Sequence, residues 1–447
     1  MKLFLGFILL LFTVGLGYIP NQDDFWIILS LYIPSFIAYL ILYKTIDKQS
    51  EVVLFLLVGI IIRCSLLFSF PALSDDIYRY IWDGKMSGLG ISPYLYTPSQ
   101  YLELNTDSSL SILFTFLNSP DYHSIYPPVS QWVFTLAIKI FSDNWLLAAA
   151  LMRLIIICAE AGIIYLLLKI LPLLGLTQKR ALLYALNPLI IIELSGNLHF
   201  EGIMIFFFLL SSWFFLRKKW MLSGLFFATS VGVKLLPIIF IPFFIRRLGL
   251  KQALLWLSSL TIAGIFIFFP FFDFELLNNL FDSIELYFKK FEFNASVYYI
   301  LRWVGYHLSG YNIIHTLGPI LSIATVLWVL YLVRKERELS LNHLFKYALF
   351  AYTGFLFFST TIHPWYLSVP VFLCLFTFYR YPVIWTVLVI GTYYGYMATP
   401  YKENMWIVAA EYFIVGLLVF FETSKVPIFR IVPGFLMKWL EEHPVGK

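Results

Sequence analysis

The sequence predicts an all-α polytopic membrane protein, and two properties of the chain lead to this prediction. First, 60% of its 447 residues are hydrophobic and only 13% are charged, whereas the surface of a soluble protein needs more charge. Second, apolar runs of about 17 to 25 residues, long enough to cross a bilayer as a helix, recur along the chain. The strands of a membrane β-barrel would instead alternate polar and apolar residues.

The apolar runs predict roughly twelve transmembrane helices. We place them near residues 3–19, 25–43, 51–70, 145–169, 180–195, 198–216, 251–271, 313–333, 346–361, 365–381, 383–399 and 404–421. The first run ends in Gly15-Leu16-Gly17, a pattern that also suits a signal-peptide cleavage site, but we expect this helix to be retained. The cysteines lie inside apolar runs, so free thiols are expected.

Clusters of basic residues between the runs predict the orientation in the membrane. These clusters are Lys44 and Lys48; Lys169, Lys179 and Arg180; Arg217, Lys218 and Lys219; Arg246, Arg247 and Lys251; and Arg334, Lys335 and Arg337. Basic loops face the cytoplasm, which places the long segments 71–144 and 272–312 on the outer side, with the short turns 361–365 and 400–403. The clusters explain the net charge of +5 without a nucleic-acid partner.

The segment 127–142 is predicted to lie in the outer interface rather than to cross the membrane. Gln131, Thr135 and Lys139 recur every four residues, so they share one face of a helix. The opposite face is apolar. A helix with these two faces is typical of the boundary between lipid and water.

The segment 220–245 is predicted to form a re-entrant hairpin. Basic clusters flank it on both sides, and it is too short to cross the membrane twice. We expect its turn near Lys234 and Pro237. A cation at that depth needs an anion, and both a lipid phosphate and a structural carboxylate such as Glu193 are candidates. Arg153, inside another apolar run, raises the same choice.

Two adjacent acidic residues follow the third apolar run, in the stretch "SDDIYRYIWDGK". Ser74 can cap a short helix, and acidic residues stabilise the first turn of a helix. On that helix Asp76, Arg79, Tyr80 and Asp83 share a face. Capping does not require two aspartates at a membrane boundary, so Asp75 and Asp76 are candidate functional residues.

A second polar cluster lies in "NPLIIIELSGNLHFEG", residues 187–202. Glu193 falls inside an apolar run, where carboxylates are costly and often functional. Asn197, His199 and Glu201 follow at its outer end. The alternative is a polar junction between two helices, with Glu193 paired to a neighbouring helix.

Two further outer segments carry polar side chains. His363 and Tyr366 lie in the stretch "TIHPWY" at a helix junction, where an aromatic belt is the default interpretation. Arg302 lies in the second long outer segment. The chain contains no nucleotide-binding loop, dinucleotide fingerprint or cysteine-based metal motif.

Five of these stretches occur in an order that resembles a known enzyme family. They are "SDDIYRYIWDGKMSGLGISPYLYTP", "YPPVSQ", "NPLIIIELSGNLHFEGI", "VKLLPIIFIPFF" and "HPWYLSVP". The chain resembles GT-C fold glycosyltransferases that use polyprenyl-phosphate sugars, and bacterial mannosyltransferases in particular, over residues 51–400. The resemblance implies a GT-C-like helical bundle.

The resemblance also implies a division of the chain within one integral membrane domain, residues 1–447. Residues 51–271 would form the catalytic GT-C-like module with the outer loop 71–144. Residues 272–447 would supply the C-terminal helices with the outer loop 272–312. Two additional helices would precede the module, within residues 1–50.

The resemblance further implies the roles of site residues. An acidic residue in the first outer loop acts as general base, which corresponds to Asp75 or Asp76. A later acidic or polar position corresponds to Asn197, His199 or Glu201. Some relatives carry Asp at this later position and this chain does not, so no metal ligands are assigned and a divalent cation remains possible. The expected substrate-binding residues are Arg79, Tyr80, Asp83, Asn197, His199, Glu201, Lys234, Arg302, His363 and Tyr366, among which Lys234, Arg302 and His363 would hold the donor phosphate.

The resulting expectation is transfer of a hexose, mannose by resemblance, from a polyprenyl-phosphate donor to an acceptor hydroxyl. The acceptor would be a glycan, lipid or protein, the membrane a bacterial inner membrane, and the active site would face outward. An Asp base and a single inverting displacement are expected. A lipid-linked sugar transporter or flippase is the alternative, because such proteins also carry charged residues within the membrane. A scaffold with partner-binding loops is a third.

Overall fold

The structure, a computed structural model, describes residues 1–105, 108–271, 279 and 291–424. These residues form helices and no named strand; one isolated bridge joins Phe293 to Thr361. The longer helices are Lys2–Tyr18, Phe25–Thr45, Gln49–Ser65, Asp76–Gly88, Pro128–Ile140, Trp145–Leu173, Glu201–Leu216, Trp220–Val233, Leu250–Phe268, Val297–Ser309, Ile314–Lys335, Leu341–Phe358 and Met405–Ser424. The predicted all-α membrane fold is confirmed.

Fewer helices than predicted are long enough by themselves to cross a membrane. Within the described residues, five helices have the required length and apolarity, and a sixth span results if two consecutive helices are counted together. This bent pair consists of Pro188–Gly196 and Glu201–Leu216, and the bend between the two helices is 107°. The predicted spans 365–381 and 383–399 are divided into shorter pieces. Lys2–Tyr18 and Gln49–Ser65 are unbroken helices of 17 residues each, so the count of roughly twelve is not confirmed.

The first half of the bent pair shows why a predicted helix is broken. The run 180–195 was expected to be one helix, but Pro188 disfavours helical backbone at the residue before it. Asn187 is extended and its side chain accepts hydrogen bonds from the backbone of Leu189 and Ile190. The chain then widens into a π-helix, Ile191–Gly196, a rare form that is frequent at functional sites.

The basic loops gather at one end of the bundle, which we call the basic end. Lys179 Nζ lies 3.2 Å from Asp47 Oδ1, which joins the first two basic loops. Arg247 forms an ion pair with Glu336, directly after the helix Ile314–Lys335. These contacts place loops that are far apart in sequence beside one another, as the charge pattern predicted.

The segment Trp220–Ile245, here called the lysine hairpin, runs from the basic end and returns to it. Its first helix ends at Lys234, which pairs with Glu201 at the opposite end of the bundle. The chain returns through Leu236–Phe240 and Ile241–Ile245 to Arg247. The expected re-entrant hairpin with its turn near Lys234 is therefore present.

The helix Pro128–Ile140 matches the expected interfacial helix, but only part of its polar face is turned to water, since Lys139 is exposed and Gln131 is not. Trp132 and Ile140 are exposed, whereas Gln131 is fully buried. The amide of Gln131 donates to Asp83 Oδ2 at 2.8 Å. The first residue of the polar face therefore binds the acidic segment of the first outer loop.

Arg153 binds backbone carbonyls rather than a phosphate or a carboxylate. Its guanidinium donates to the carbonyl oxygens of Ser195 at 2.5 Å, Gly196 at 2.9 Å and Leu67 at 2.7 Å. These carbonyls end the π-helix and follow the helix Gln49–Ser65. Because unpaired carbonyls are costly within a membrane, Arg153 makes both breaks possible.

A second buried arginine ties three elements together. Arg63 Nε lies 2.5 Å from Glu160 Oε2, and both side chains are fully buried. Glu160 also accepts from the Ser195 hydroxyl at 2.8 Å and the Tyr184 hydroxyl at 3.2 Å. The pair joins two membrane helices to the π-helix.

We predict that Glu160→Gln will destabilise the protein by about 3–5 kcal/mol, because it leaves a buried guanidinium without its counter-charge. The measurement is thermal unfolding of the purified protein in detergent. Asp47→Asn is the control, since Asp47 is exposed and screened by solvent. Equal melting temperatures for the Glu160 variant and the wild type would contradict the prediction.

Candidate active site

A cavity of about 380 Å³ lies at the end of the bundle opposite the basic end, which we call the cavity end. Its lining combines acidic, basic and aromatic side chains, and its residues come from seven separate parts of the chain. Six predicted site residues line it: Asp75, Asp76, Arg79, Lys234, His363 and Tyr366. The structure thus brings together residues that are almost 300 positions apart in the sequence.

Asp76 begins the helix Asp76–Gly88 and is held by two phenols. The Tyr126 hydroxyl donates to Asp76 Oδ2 at 3.0 Å, and the Tyr80 hydroxyl donates to the same oxygen at 3.4 Å. Among the described residues, nothing donates to Asp76 Oδ1. The carboxylate is therefore oriented through one oxygen, while the other is available to the cavity.

Asp75 lines the same cavity in a different environment. Burial raises the pKa of the Asp75 carboxyl above its usual range, and the negative charge of the adjacent Asp76 raises it further. Two neighbouring carboxyl groups thus differ in their environment, because Asp76 accepts hydrogen bonds from two phenols. Such a difference suits two separate roles in a reaction.

Asp83 and Arg79 hold the wall of the cavity. Asp83 is fully buried and does not line the cavity. It accepts from Arg79 Nε at 2.8 Å and from the Ser124 hydroxyl, in addition to its bond with Gln131. Arg79 also donates to the Tyr122 carbonyl at 2.8 Å. This network anchors the loop that carries Tyr126.

Lys234 extends from the tip of the lysine hairpin into the cavity. Its ammonium group pairs with the fully buried Glu201 and lies 5.9 Å from the centre of the Tyr366 ring. The structural anion is therefore Glu201, not Glu193. Glu201 begins the second helix of the bent pair. Its ion pair with Lys234 therefore joins that helix to the lysine hairpin.

His199 and Asn197 lie behind the cavity wall. The His199 ring is fully buried and stacks on Trp365, with ring centres 3.6 Å apart. The Asn197 amide donates to Glu193 Oε2 at 3.1 Å. Neither His199 nor Asn197 is among the residues that line the cavity.

His363 reaches the cavity, but it does so as a neutral ring. It stacks between Trp365, at 4.3 Å, and Phe293, at 4.7 Å. Burial lowers the pKa of His363 to about 3, helped by the nearby His199 and Lys234. His363 can therefore donate an N–H to a phosphate, but it does not add a positive charge to the cavity.

Arg302 does not join the other site residues. It forms an ion pair with Glu292 and lies 4.3 Å from the centre of the Tyr299 ring. It is absent from the cavity lining. Its placement offers no direct contact with a ligand in this cavity.

Sequence reasoning missed several residues that line the cavity, including Tyr126, Tyr396 and Gln22. Tyr126 begins "YPPVSQ", one of the stretches that carry the resemblance, and Tyr396 lies in the run 383–399, which was predicted only to span the membrane. Gln22 comes from the turn between the first two helices. Thus the helices that were set apart as additional also contribute to the cavity.

The described residues contain no group of three or more His, Cys, Asp or Glu side chains that could hold a metal ion. Asp75 and Asp76 provide two carboxylates at the cavity. A magnesium ion can be held by one or two carboxylates together with substrate phosphates. The donor set therefore fits a cation only in company with a phosphate-bearing ligand.

Comparison with known proteins bears on the same part of the chain. Residues 29–248, just under half of the chain, match the sequence model of the family described as "Alpha-(1->6)-mannopyranosyltransferase, N-terminal domain". The resemblance to bacterial mannosyltransferases is confirmed. The matched region includes Asp75, Asp76, Glu201 and Lys234.

Individual relatives are distant. An alpha-(1->6)-mannopyranosyltransferase of Mycobacterium tuberculosis is 27% identical over 141 residues, or 31% of this chain and 23% of that protein. Alpha-(1->6)-mannopyranosyltransferase A of Corynebacterium glutamicum is 24% identical over 182 residues, or 40% of this chain and 35% of that protein. The chain thus aligns with about a quarter to a third of the length of these mannosyltransferases.

We predict that Lys234 and His363, which both line the cavity, respond differently to substitution. Lys234→Met should weaken binding of a polyprenyl phosphate by at least about tenfold, because it removes a positively charged side chain that lines the cavity. His363→Gln should weaken it by less than about threefold, since a neutral donor contributes less than a charged one. Binding is measured with the purified protein.

The pH dependence provides the control for this comparison. Because the pKa of His363 is lowered to about 3, the ring stays neutral between about pH 5.5 and 8. Hence His363→Gln should leave the pH dependence of binding over this interval unchanged. The prediction would be contradicted if the affinity of the wild type fell as the pH rose through about 6.5 and this fall were absent in His363→Gln. That result would mean that the His363 ring is charged at the lower pH.

Proposed function

We propose that the protein is a glycosyltransferase that moves mannose from a polyprenyl-phosphate carrier to an acceptor hydroxyl at the cavity end. The observation that carries this proposal is a single cavity in which an oriented carboxylate, Asp76, and a lysine, Lys234, are both available to a ligand. Sugar transfer from a phosphate carrier requires these two chemistries together: a base for the hydroxyl and a cation for the phosphate.

Lys234 is the proposed ligand of the donor phosphate. The bond between the anomeric carbon and the phosphate oxygen breaks with its electron pair on oxygen, so negative charge develops there. A cation placed beforehand stabilises this charge in the transition state. Glu201 holds Lys234 in position from behind, and Tyr366 limits the space in which the ammonium group can move.

Apolar residues beside Lys234 suit a prenyl chain. Leu235 and Leu236 continue the tip of the lysine hairpin into the cavity lining, and Phe355 faces the same space. A carrier whose phosphate binds Lys234 would place its first prenyl units against these side chains. A free sugar phosphate would leave this part of the cavity unused.

Asp76 is the proposed general base, and Asp75 a hydrogen-bonding partner for substrate hydroxyls. The two tyrosines fix the Asp76 carboxylate, and a fixed base favours a productive geometry. A base on the face of the sugar opposite the phosphate allows one displacement, which inverts the anomeric carbon.

The sugar and the orientation follow from different observations. Mannose is proposed because the relatives are described as mannosyltransferases. An outward-facing cavity is proposed because the basic loops lie at the opposite end, and basic loops face the cytoplasm. A bacterial inner membrane and an extracytoplasmic glycan, lipid or protein acceptor are consistent with both.

The placement of charged groups favours transfer over transport. A transporter would carry unsatisfied polar groups near the middle of the membrane. Here Arg153 binds carbonyls, Arg63 binds Glu160, and Glu193 accepts from Tyr393 and Asn197. The accessible charges lie instead at the cavity end.

We predict that the purified protein transfers labelled mannose from polyprenyl phosphomannose to an α-mannoside acceptor, and that Asp76→Asn lowers kcat by about 10²- to 10⁴-fold, the usual contribution of a general base. Binding of the donor should survive, because Asp76 does not hold the phosphate. Asp75→Asn should cause a smaller loss.

Asp121→Asn is the matched control, since Asp121 is an exposed carboxylate of the same outer loop and binds Ser99. It should retain wild-type activity. Full activity of Asp76→Asn would eliminate this residue as the base. Movement of the labelled lipid across vesicles without consumption of the sugar linkage would instead support the transporter.

A further inference from the structure

The imidazole of His199 lies between two carboxylates. Its Nδ1 is 3.8 Å from Asp76 Oδ2, and its Nε2 is 3.4 Å from Glu193 Oε2. Both ring nitrogens are buried, and neither has a hydrogen-bond partner among the described residues. A buried polar group without a partner is costly and calls for an explanation.

The backbone around His199 is shaped to place the ring there. Leu198 has a φ of 63°, which is uncommon for a residue that is not glycine. The preceding π-helix gives a wide turn, and the His199 amide donates to the Glu193 carbonyl at 3.2 Å. Strained backbone of this kind occurs where a side chain must be held for a function.

Burial lowers the pKa of His199 to about 4, so the resting ring is neutral, whereas the carboxylates around it attract a positive charge. A neutral imidazole carries one N–H and can satisfy only one of the two carboxylates. An imidazolium ion would donate to both, and it would lie on the face of Trp365, where a cation is favoured. Glu201 also faces the ring with a negative charge, while Lys234 opposes the ion, and His363 covers the other face of Trp365.

We propose that His199 and Glu193 form a proton relay behind Asp76, in which His199 accepts the proton that Asp76 has taken from the acceptor hydroxyl. The inference rests on the proposed function, in which Asp76 is the base. Asp76 then connects the cavity to the relay: Oδ1 faces the substrate, and Oδ2 faces the imidazole. Glu193 is a positioning residue that selects the Nε2–H tautomer and stabilises the imidazolium.

The proposed step is balanced in bonds and charges. The acceptor oxygen forms its bond to the anomeric carbon as the carbon–phosphate oxygen bond breaks, with the electron pair left on the phosphate. The acceptor proton passes to Asp76, and from Asp76 to Nδ1 of His199, which requires the two groups to approach by about 1 Å. After the products leave, the proton returns through Asp76 to water in the cavity.

The relay keeps Asp76 negatively charged during the reaction. A base that stays protonated would lose its attraction for the positive charge that develops on the sugar ring. Transfer of the proton to His199 restores the Asp76 carboxylate and places the positive charge between Asp76 and Glu193. Catalysis would then depend on Glu193, although Glu193 touches no substrate.

The test compares Glu193→Gln and His199→Asn with Glu411→Gln in the mannosyl-transfer assay. Glu411 is an equally buried carboxylate, held by Trp385 and Asn294, and it does not contact the relay. Glu193→Gln and His199→Asn should lower kcat by about tenfold to a hundredfold with the donor KM unchanged within about twofold. In both relay variants the solvent deuterium isotope effect on kcat should rise, because proton transfer becomes more rate-limiting.

The control Glu411→Gln should retain the wild-type kcat and isotope effect. Wild-type kcat and isotope effect in Glu193→Gln, with Asp76→Asn inactive, would overturn the relay and leave the proposed function intact. A raised KM in both relay variants without an altered isotope effect would also overturn it, since that result indicates a structural role. A wild-type protein that transfers no sugar would instead refute the proposed function.

Discussion

The hydrogen bonds from Arg153 to three backbone carbonyls are the interaction on which the shape of the cavity depends. Two chain segments that leave the membrane helices carry the acidic residues: one follows Leu67 toward Asp76, and the other follows Gly196 toward Glu201. Each begins with carbonyl groups that no helix can satisfy, and the low-polarity surroundings offer no water. By donating to Leu67, Ser195 and Gly196, one guanidinium fixes both segments side by side.

The same physical constraint explains where charge is available to a ligand. Inside the bundle, Arg63 and Glu160 neutralise one another, and Glu193 is surrounded by hydrogen-bond donors. At the cavity end, Asp76 and Lys234 are each held by a partner on one side and open on the other. A reaction in which a phosphate gains negative charge and a hydroxyl loses its proton needs a cation and a base, and these two groups can supply them.

Much of this arrangement could be predicted from local sequence, and some of it could not. Asp75 and Asp76 stood out because carboxylates are rare in so apolar a chain, and Lys234 because a lysine inside a hairpin needs a partner. Spacing along one helix also related Asp76 to Tyr80. Contacts between distant elements leave no such pattern: Tyr126 is 50 residues from Asp76, and nothing in its neighbourhood indicates that it binds a carboxylate.

Protonation and pairing were harder to predict than position. His363 was expected at the site and lies there, but burial and stacking on Trp365 keep its ring neutral. Arg302 was expected to bind phosphate because it is an arginine on an outer loop, yet Glu292 satisfies its charge. The sequence alone does not indicate which carboxylate will form an ion pair with Arg302.

The central claim is that Lys234 and Asp76 act on opposite sides of one anomeric carbon. The most direct measurement is a structure of the protein with a non-transferable phosphonate analogue of the polyprenyl-phosphate sugar. We predict a phosphonate oxygen about 3 Å from Lys234 Nζ, with the sugar between the phosphonate and Asp76 and its anomeric carbon facing the carboxylate. An analogue bound outside this cavity, or with phosphonate and Asp76 on the same face of the sugar, would contradict the claim.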